Sequence, residues 1–152
     1  MPNPRKKTGT DWERKIADIF NEYFDTNVWK RIPGSGAIGT ILSISELLGD
    51  VKGKFDFTNL PIFIEAKTGY GGSKQFVIKK EWLDKIKEEA NTSFGIGLLA
   101  GKFLGAKQGV KHFIVLDIYD FLKLMDIAND LKEELDNLHY ELEQGRKGNR
   151  YV

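Results

Sequence analysis

Leu60-Pro61-Ile62-Phe63-Ile64-Glu65-Ala66-Lys67 is the stretch on which the fold turns. Residues 60–67 read as a β-strand, with proline only near the start, where a strand tolerates it. Side chains alternate along a strand, so Glu65 and Lys67 project to one side while Ile64 and Ala66 project to the other. A carboxylate and an ammonium so placed can meet a metal and a phosphate together. Glu65 would ligate the cation, and Lys67 would stabilise charge on the phosphate or help orient the attacking water. The same triplet on an exposed strand is commonly just a cross-strand ion pair, and taken alone it does not separate the two readings.

Asp50 lies 15 residues upstream of Glu65, directly after Gly49 and before an apolar residue, where a neighbouring strand is expected to begin. Two adjacent strands diverging there could bring Asp50 and Glu65 to one magnesium ion; the competing reading is a turn aspartate after a helix-ending glycine. Asp56 is a rival ligand, although residues 54–59 look like the entrance to a turn. Glu13 carries two readings as well. Thr10-Asp11-Trp12-Glu13 is a capping-box pattern that puts Glu13 at the third helical position, and an acid in the first turn of a helix is also well placed to face a metal.

Outward from this centre, Trp12, Ile16, Ile19, Phe20, Tyr23 and Phe24 recur at helical spacing and predict a first helix from about residue 10 to 24. Residues 27–32 read as a strand, 33–39 as a glycine-rich loop, 41–48 as a short helix, and 50–57 as an irregular strand. After the 60–67 strand, Gly69, Gly71 and Gly72 mark a second loop. Trp82, Leu83, Ile86 and Ala90 place a helix over 80–90, and 94–100 and 112–118 are apolar strands. A short helix is expected over 120–125. Leu131, Leu135, Leu138 and Leu142 then form a narrow apolar stripe, too short for a coiled coil by itself and suited to packing on the domain or on a partner subunit. The order α-β-β-β-α-β-β-α implies an α/β sandwich with a mixed sheet flanked by helices. The expected divisions are a disordered basic arm at 1–9, a main domain at 10–125, and a C-terminal helix with a basic tail at 126–152.

Composition narrows the chemistry. With 152 residues, 41% hydrophobic and 30% charged, a folded single domain is expected. There is no cysteine, which excludes disulfides and thiolate metal sites, and with His112 and His139 the only histidines a His-rich metal site is also unfavourable. A metal must therefore be bound by oxygen, which favours magnesium or manganese. No apolar run is long enough to span a membrane, and the N-terminal residues lack the apolar core of a signal peptide, so no membrane association and a cytoplasmic setting are expected. The net charge of +1 hides an uneven distribution: residues 1–116 carry 18 basic and 13 acidic side chains, whereas 117–143 carry 2 basic and 9 acidic. Residues 26–45, 66–80 and 91–116 contain no acid at all. Basic surface beside a few carboxylates suits a polyanion; chance clustering of surface lysines is the alternative.

Taken together, Trp12-Glu13-Arg14-Lys15-Ile16, Lys30-Arg31-Ile32-Pro33-Gly34-Ser35-Gly36, Gly49-Asp50-Val51 and Phe63-Ile64-Glu65-Ala66-Lys67 resemble the PD-(D/E)xK nuclease superfamily. The resemblance covers about residues 8–120, rests on order and spacing, and is nearest to Holliday junction resolvases of archaea, their viruses and phage-borne relatives. It implies a restriction-endonuclease-like fold, a homodimer and magnesium-dependent cutting of branched DNA. The helix-1 acid of the family falls on Glu13, the motif aspartate on Asp50, the E-x-K pair on Glu65 and Lys67, and a contributing loop serine on Ser35. Gly49 stands where the family usually has proline. Gln75 sits where some members place a polar group near the scissile phosphate. The extension after about Asp120 has no counterpart.

Lys30 and Arg31, alternating on a strand, point to opposite faces, so one of them is expected to reach phosphates. Lys74, Lys79 and Lys80 could track the same DNA strand, or be merely solvated. Arg5, Lys6 and Lys7 suit sequence-independent binding. Trp29 and Trp82 read as core. The resulting expectation is a nuclease in which Asp50 and Glu65 hold the cation, Glu13 completes its shell and Lys67 supports the nucleophile or the transition state. Resolution of four-way junctions is the preferred task. The alternatives are a restriction-type or replication-associated nuclease on duplex or flap DNA, and a DNA-binding module that does not cut.

Overall fold

The computed structural model describes residues 4–33 and 48–148. In chain order they form α1 (Pro4–Phe24), β1 (Lys30–Arg31), β2 (Val51–Gly53), β3 (Ile62–Thr68), α2 (Lys80–Asn91), β4 (Ile96–Lys102), β5 (His112–Leu116) and α3 (Ile118–Gly148). The strands make one sheet in the order β1-β2-β3-β4-β5, parallel only between β3 and β4. A parallel step needs a crossover, and α2 provides it. This is the expected mixed sheet flanked by helices, with a restriction-endonuclease-like order and a C-terminal helix.

β3 organises the two faces. Its residues Ile62 to Glu65 are buried, and it pairs on both sides: Val51 lies opposite Ile64, and Glu65 lies beside Leu99. Phe63 packs with Leu48 and with Ile86 and Ala90 of α2, so the face that carries Phe63, Glu65 and Lys67 is the face α2 covers. The helix comes very close: a Cβ on Gly97, the β4 neighbour of Phe63, would lie 2.6 Å from the carbonyl oxygen of Ile86. α1 covers the opposite face, where Trp12 Nε1 donates to the Ala100 carbonyl at 3.2 Å and the Trp12 ring stacks on His112 at 4.8 Å. Trp12, Trp29 and Trp82 are all buried, as their periodic placement implies.

Several elements differ from the sequence reading: β2, expected to run irregularly over 50–57, ends at Gly53 before a turn, and β5, expected over 112–118, ends at Leu116. α1 begins at Pro4 rather than near Thr10. Proline is well suited to a first helical position, and the single Gly9 before Thr10 weakens the helix without ending it, so Arg5, Lys6 and Lys7 lie in its opening turns and not in a disordered arm. β1 is shorter than 27–32 because Asn21 of α1 takes both backbone groups of Trp29: its Oδ1 accepts the Trp29 N–H at 3.0 Å and its Nδ2 donates to the Trp29 carbonyl at 2.9 Å. At the C-terminal end, the two expected helices are one helix of 31 residues, since the intervening Ile127-Ala128-Asn129-Asp130 contains neither glycine nor proline. The helix expected over 41–48 lies almost wholly outside the described residues.

The chain divides into two compact units, Met1–Asp117 and Ile118–Val152. The sheet and its two helices belong to the first, and α3 to the second. Leu135, Leu138 and Leu142 of the α3 stripe are each more than half exposed, at 56%, 55% and 61%. No helix among the described residues is long and apolar enough to cross a membrane.

The close seat of α2 on β4 gives a first expectation. Gly97→Ala forces the helix off the sheet and is expected to cost about 1–3 kcal/mol, the usual range for overpacking. A urea midpoint equal to that of the parent protein would show that α2 is not held against β4 as tightly as the contact implies.

Candidate active site

Asp50 is placed by the turn that precedes β2. Gly49 has φ +70°, and a Cβ there would come within 3.3 Å of both Ile64 N and Phe63 Cβ. Its N–H donates to Glu89 Oε2 at 3.0 Å. Proline, the usual residue of the resembling family, has φ near −65° and no N–H, so it fits neither feature of this turn. Beyond the turn, the Asp50 N–H donates to the Ile64 carbonyl at 2.8 Å, and Asp50 Oδ2 accepts the Ala66 N–H at 2.8 Å. Asp50 is thereby bound at two points to the strand that carries Glu65, from a turn after Gly49 and beside a paired rather than a diverging strand. Asp56, the rival, stands exposed in the turn closed by Thr58 N–H on the Phe55 carbonyl.

Glu65 is 4% exposed. Burying a carboxylate is costly unless it is paired, and two ammonium groups pair with it. Lys67 Nζ lies 2.5 Å from Oε1 and Lys85 Nζ lies 3.0 Å from Oε2. Burial alone would raise the Glu65 carboxyl, but Lys67 and then Lys85 prevail and hold it below the ordinary glutamate range. Lys67 is itself steadied by the Trp82 ring, 5.2 Å from its Nζ. Asp50 is shifted the other way. Burial, the neighbouring charge of Glu65 and, more weakly, that of Glu13 push it from 3.8 to about 6, against the Ala66 hydrogen bond and Lys67.

Glu13 is thus felt electrostatically at Asp50, yet it is bound elsewhere. Its Oε2 accepts from Arg31 Nε at 2.5 Å. Because α1 begins at Pro4, Glu13 is well inside the helix, and the capping role falls away. Among the described residues, no group of three or more His, Asp or Glu side chains is placed to hold a metal. Asp50 and Glu65 come together; Glu13 does not join them in a three-carboxylate cluster, because the Arg31 guanidinium holds it.

Two residues at the site escaped the sequence reading. Lys85 and Glu89 sit on α2 four residues apart, 3.5 Å from each other, and between them hold Glu65 and the Gly49 turn. The i, i+4 spacing was visible beside the apolar Ile86 and Ala90, but it is also the spacing of an ordinary solvated pair. Their partners lie 20 and 40 residues away, a relation set only by how α2 crosses the sheet.

Of the remaining candidates, Lys30 is exposed and Arg31 is committed to Glu13. Lys74 and Gln75 are exposed on the segment that folds back through the Val77 N–H to Tyr70 carbonyl bond of 2.8 Å. Lys79 pairs with Glu81 at 3.6 Å, and Lys80 pairs with Asp84, so the acid-free window 66–80 finds acids on α2. Lys7 is exposed, Arg5 and Lys6 lie in the first turn of α1, and Ser35 lies outside the described residues. A cleft of about 610 Å³ opens beside Lys67, lined also by Thr8 and Gly9 of α1, Thr68 and Tyr70. The Thr68 hydroxyl is buried there with no hydrogen-bond partner among the described residues.

The residues fit a divalent cation. The Asp50 and Glu65 carboxylates repel each other, and burial adds to the effect at Asp50. Magnesium is commonly held by one or two carboxylates, with waters and substrate phosphate completing its oxygen shell. The same imbalance makes a stability prediction. The Asp50 proton is bound more tightly in the folded than in the unfolded chain. Its contribution to stability is therefore greatest below pH 3.8 and is lost as pH rises through about 6. Asp50→Asn, which can still accept the Ala66 N–H, is expected to gain about 1–3 kcal/mol at pH 8 in chelator. A lower melting temperature for the variant under those conditions would show that the charge is already compensated.

No curated protein matches the chain. The family model described as "Phage putative PDDEXK endonuclease" does, over residues 4–152. Nucleases of this superfamily generally work with divalent metals. A match of that extent, over a mixed sheet that brings an aspartate against an E-x-K strand, places the chain in the phage family of PD-(D/E)xK endonucleases.

Proposed function

We propose that the chain is a magnesium-dependent endonuclease, with manganese able to substitute, that acts inside the cell on four-way DNA junctions as a homodimer. The observation that carries the catalytic part is Asp50 held on the N–H of Ala66, the residue next to Glu65, with Lys67 paired to Glu65. Asp50 and Glu65 are assigned the cation. When bound, it would neutralise charge on the scissile phosphate and make water a better nucleophile. Lys67 lines the cleft and is assigned to the phosphate oxygens or to orienting the attacking water. Glu13, tied to Arg31, contributes negative charge from outside the pair. Lys30, Lys74, Gln75, Lys79 and the α1 residues Arg5, Lys6 and Lys7 are assigned to the DNA backbone, and Ser35 keeps the loop role that the resemblance gives it.

Junction selectivity follows from symmetry. A resolvase makes two symmetrically placed cuts, and this chain carries one E-x-K strand, so two copies related by a two-fold axis are needed. The exposed Leu135, Leu138 and Leu142 of α3 offer apolar surface for that pairing. Backbone contacts from basic surface would read the shape of the junction and not its bases.

Glu65→Gln is expected to lower the cleavage rate by orders of magnitude while leaving DNA affinity equal or slightly tighter, since it removes a cation ligand and a charge that repels phosphate. Near-normal rates with magnesium would remove Glu65 from the cation site. For substrate choice, the same variant can be tested by competition among a four-way junction, a flap and linear duplex at near-physiological salt. A marked preference for the junction that survives changes in arm sequence is expected. Equal affinities, or a strictly monomeric protein on the junction, would discard the resolvase assignment and leave a general nuclease.

A further inference from the structure

Lys30 of β1 and Lys52 of β2 lie directly opposite each other across an antiparallel pair. Like charges so placed destabilise a sheet. Nearby, Lys54 is exposed, and no carboxylate among the described residues forms an ion pair with any of the three lysines. The contrast with Lys79, Lys80, Lys85 and Lys87 is direct, since each of those has an acidic partner. The three unpaired lysines line a hollow of about 380 Å³, together with Val28, Ile32 and Pro61.

Three features make this a prepared surface. Lys52 Nζ lies 5.2 Å from the centre of the Phe63 ring, which holds the side chain over the sheet. The strand beneath is fixed, because a Cβ on Gly53 would come 2.3 Å from the Trp29 ring, and Trp29 is 1% exposed. The hollow is also in line with the carboxylates. Lys52 pairs with Phe63, itself two residues from Glu65, so these three project from the same face of the sheet, and Asp50 lies two residues before Lys52 in the chain. Two strand residues span about 7 Å. A polyanion leaving the carboxylates along β2 would meet Lys52 next, with Lys30 beside it and Lys54 beyond.

We propose that this hollow is a seat for the phosphate backbone of DNA, guiding one strand away from the cleavage site across the β1–β2 end of the sheet. The uncompensated lysines give the sign of the ligand, and their alignment with Asp50 identifies it as the continuation of the same strand. The proposal rests on the nuclease reading and adds Lys52 and Lys54 to the DNA-facing residues. It also gives this end of the sheet the backbone contacts that Lys79 and Lys80, already paired, are less free to make.

The test uses the full chain carrying Glu65→Gln, with Lys30→Gln, Lys52→Gln and Lys54→Gln added together, and Lys107→Gln as a control for loss of a lysine elsewhere. Affinity for duplex and junction DNA is measured over a range of salt. Loss of three phosphate contacts is expected to flatten the dependence of log affinity on log salt by about 2–3. The affinity loss should be the same for unrelated sequences, with no fall in melting temperature, because the opposed Lys30–Lys52 charges are relieved. Should the triple variant fold poorly, Lys52→Gln alone is expected to flatten the slope by about 1. A slope and affinity equal to those of the control overturn the proposal while the nuclease reading stands. Failure of the parent chain to bind DNA at all overturns both.

Discussion

The buried charge of Glu65 is the interaction on which the neighbourhood is built. A carboxylate taken out of water loses several kcal/mol of solvation unless ionic and hydrogen-bonding partners replace it. Lys67 comes from the same strand, two residues on, and costs the fold nothing beyond the alternation of β3. Lys85 comes from α2 and reaches the other oxygen only because that helix crosses from β3 to β4 over the face where Glu65 lies. The parallel β3–β4 step, the Gly97 contact that lets α2 sit low, and the position of Glu65 are therefore one arrangement seen at three scales.

α2 also serves the second carboxylate. Glu89, one helical turn after Lys85, holds the N–H of Gly49 and with it the left-handed turn from which Asp50 projects. One helix thus steadies both acids, one through a cation and one through a backbone turn. The outcome is asymmetric: Glu65 is lowered by its two lysines, while Asp50 is raised by burial and by Glu65. Functional centres commonly retain such unfavourable groups because a ligand relieves them.

Much of this was visible in the linear sequence. The element order, the mixed sheet and the helix on either side of the strand pair follow from apolar periodicity and glycine placement. The E-x-K strand and the Asp50 turn were identifiable because alternation on a strand is a local rule. Glu13 was not decidable. Its two readings depended on where α1 starts, and Pro4 extends the helix well beyond the Thr10 pattern that suggested a cap. Its engagement by Arg31, 18 residues away, could not be read from either segment alone.

What the sequence by itself determined is set by short-range physics: which segments are helix or strand, which residues share a face, and the exclusion of disulfides and thiolate metal sites in a chain without cysteine. The tertiary structure alone decided which charges meet. Lys85 and Glu89 become part of the site, Lys79 and Lys80 become paired, and Lys30 is left opposite Lys52. Each of these depends on contacts between segments far apart in the chain. Coulomb and desolvation energies depend on distance in space and on burial, and neither quantity is a property of sequence separation.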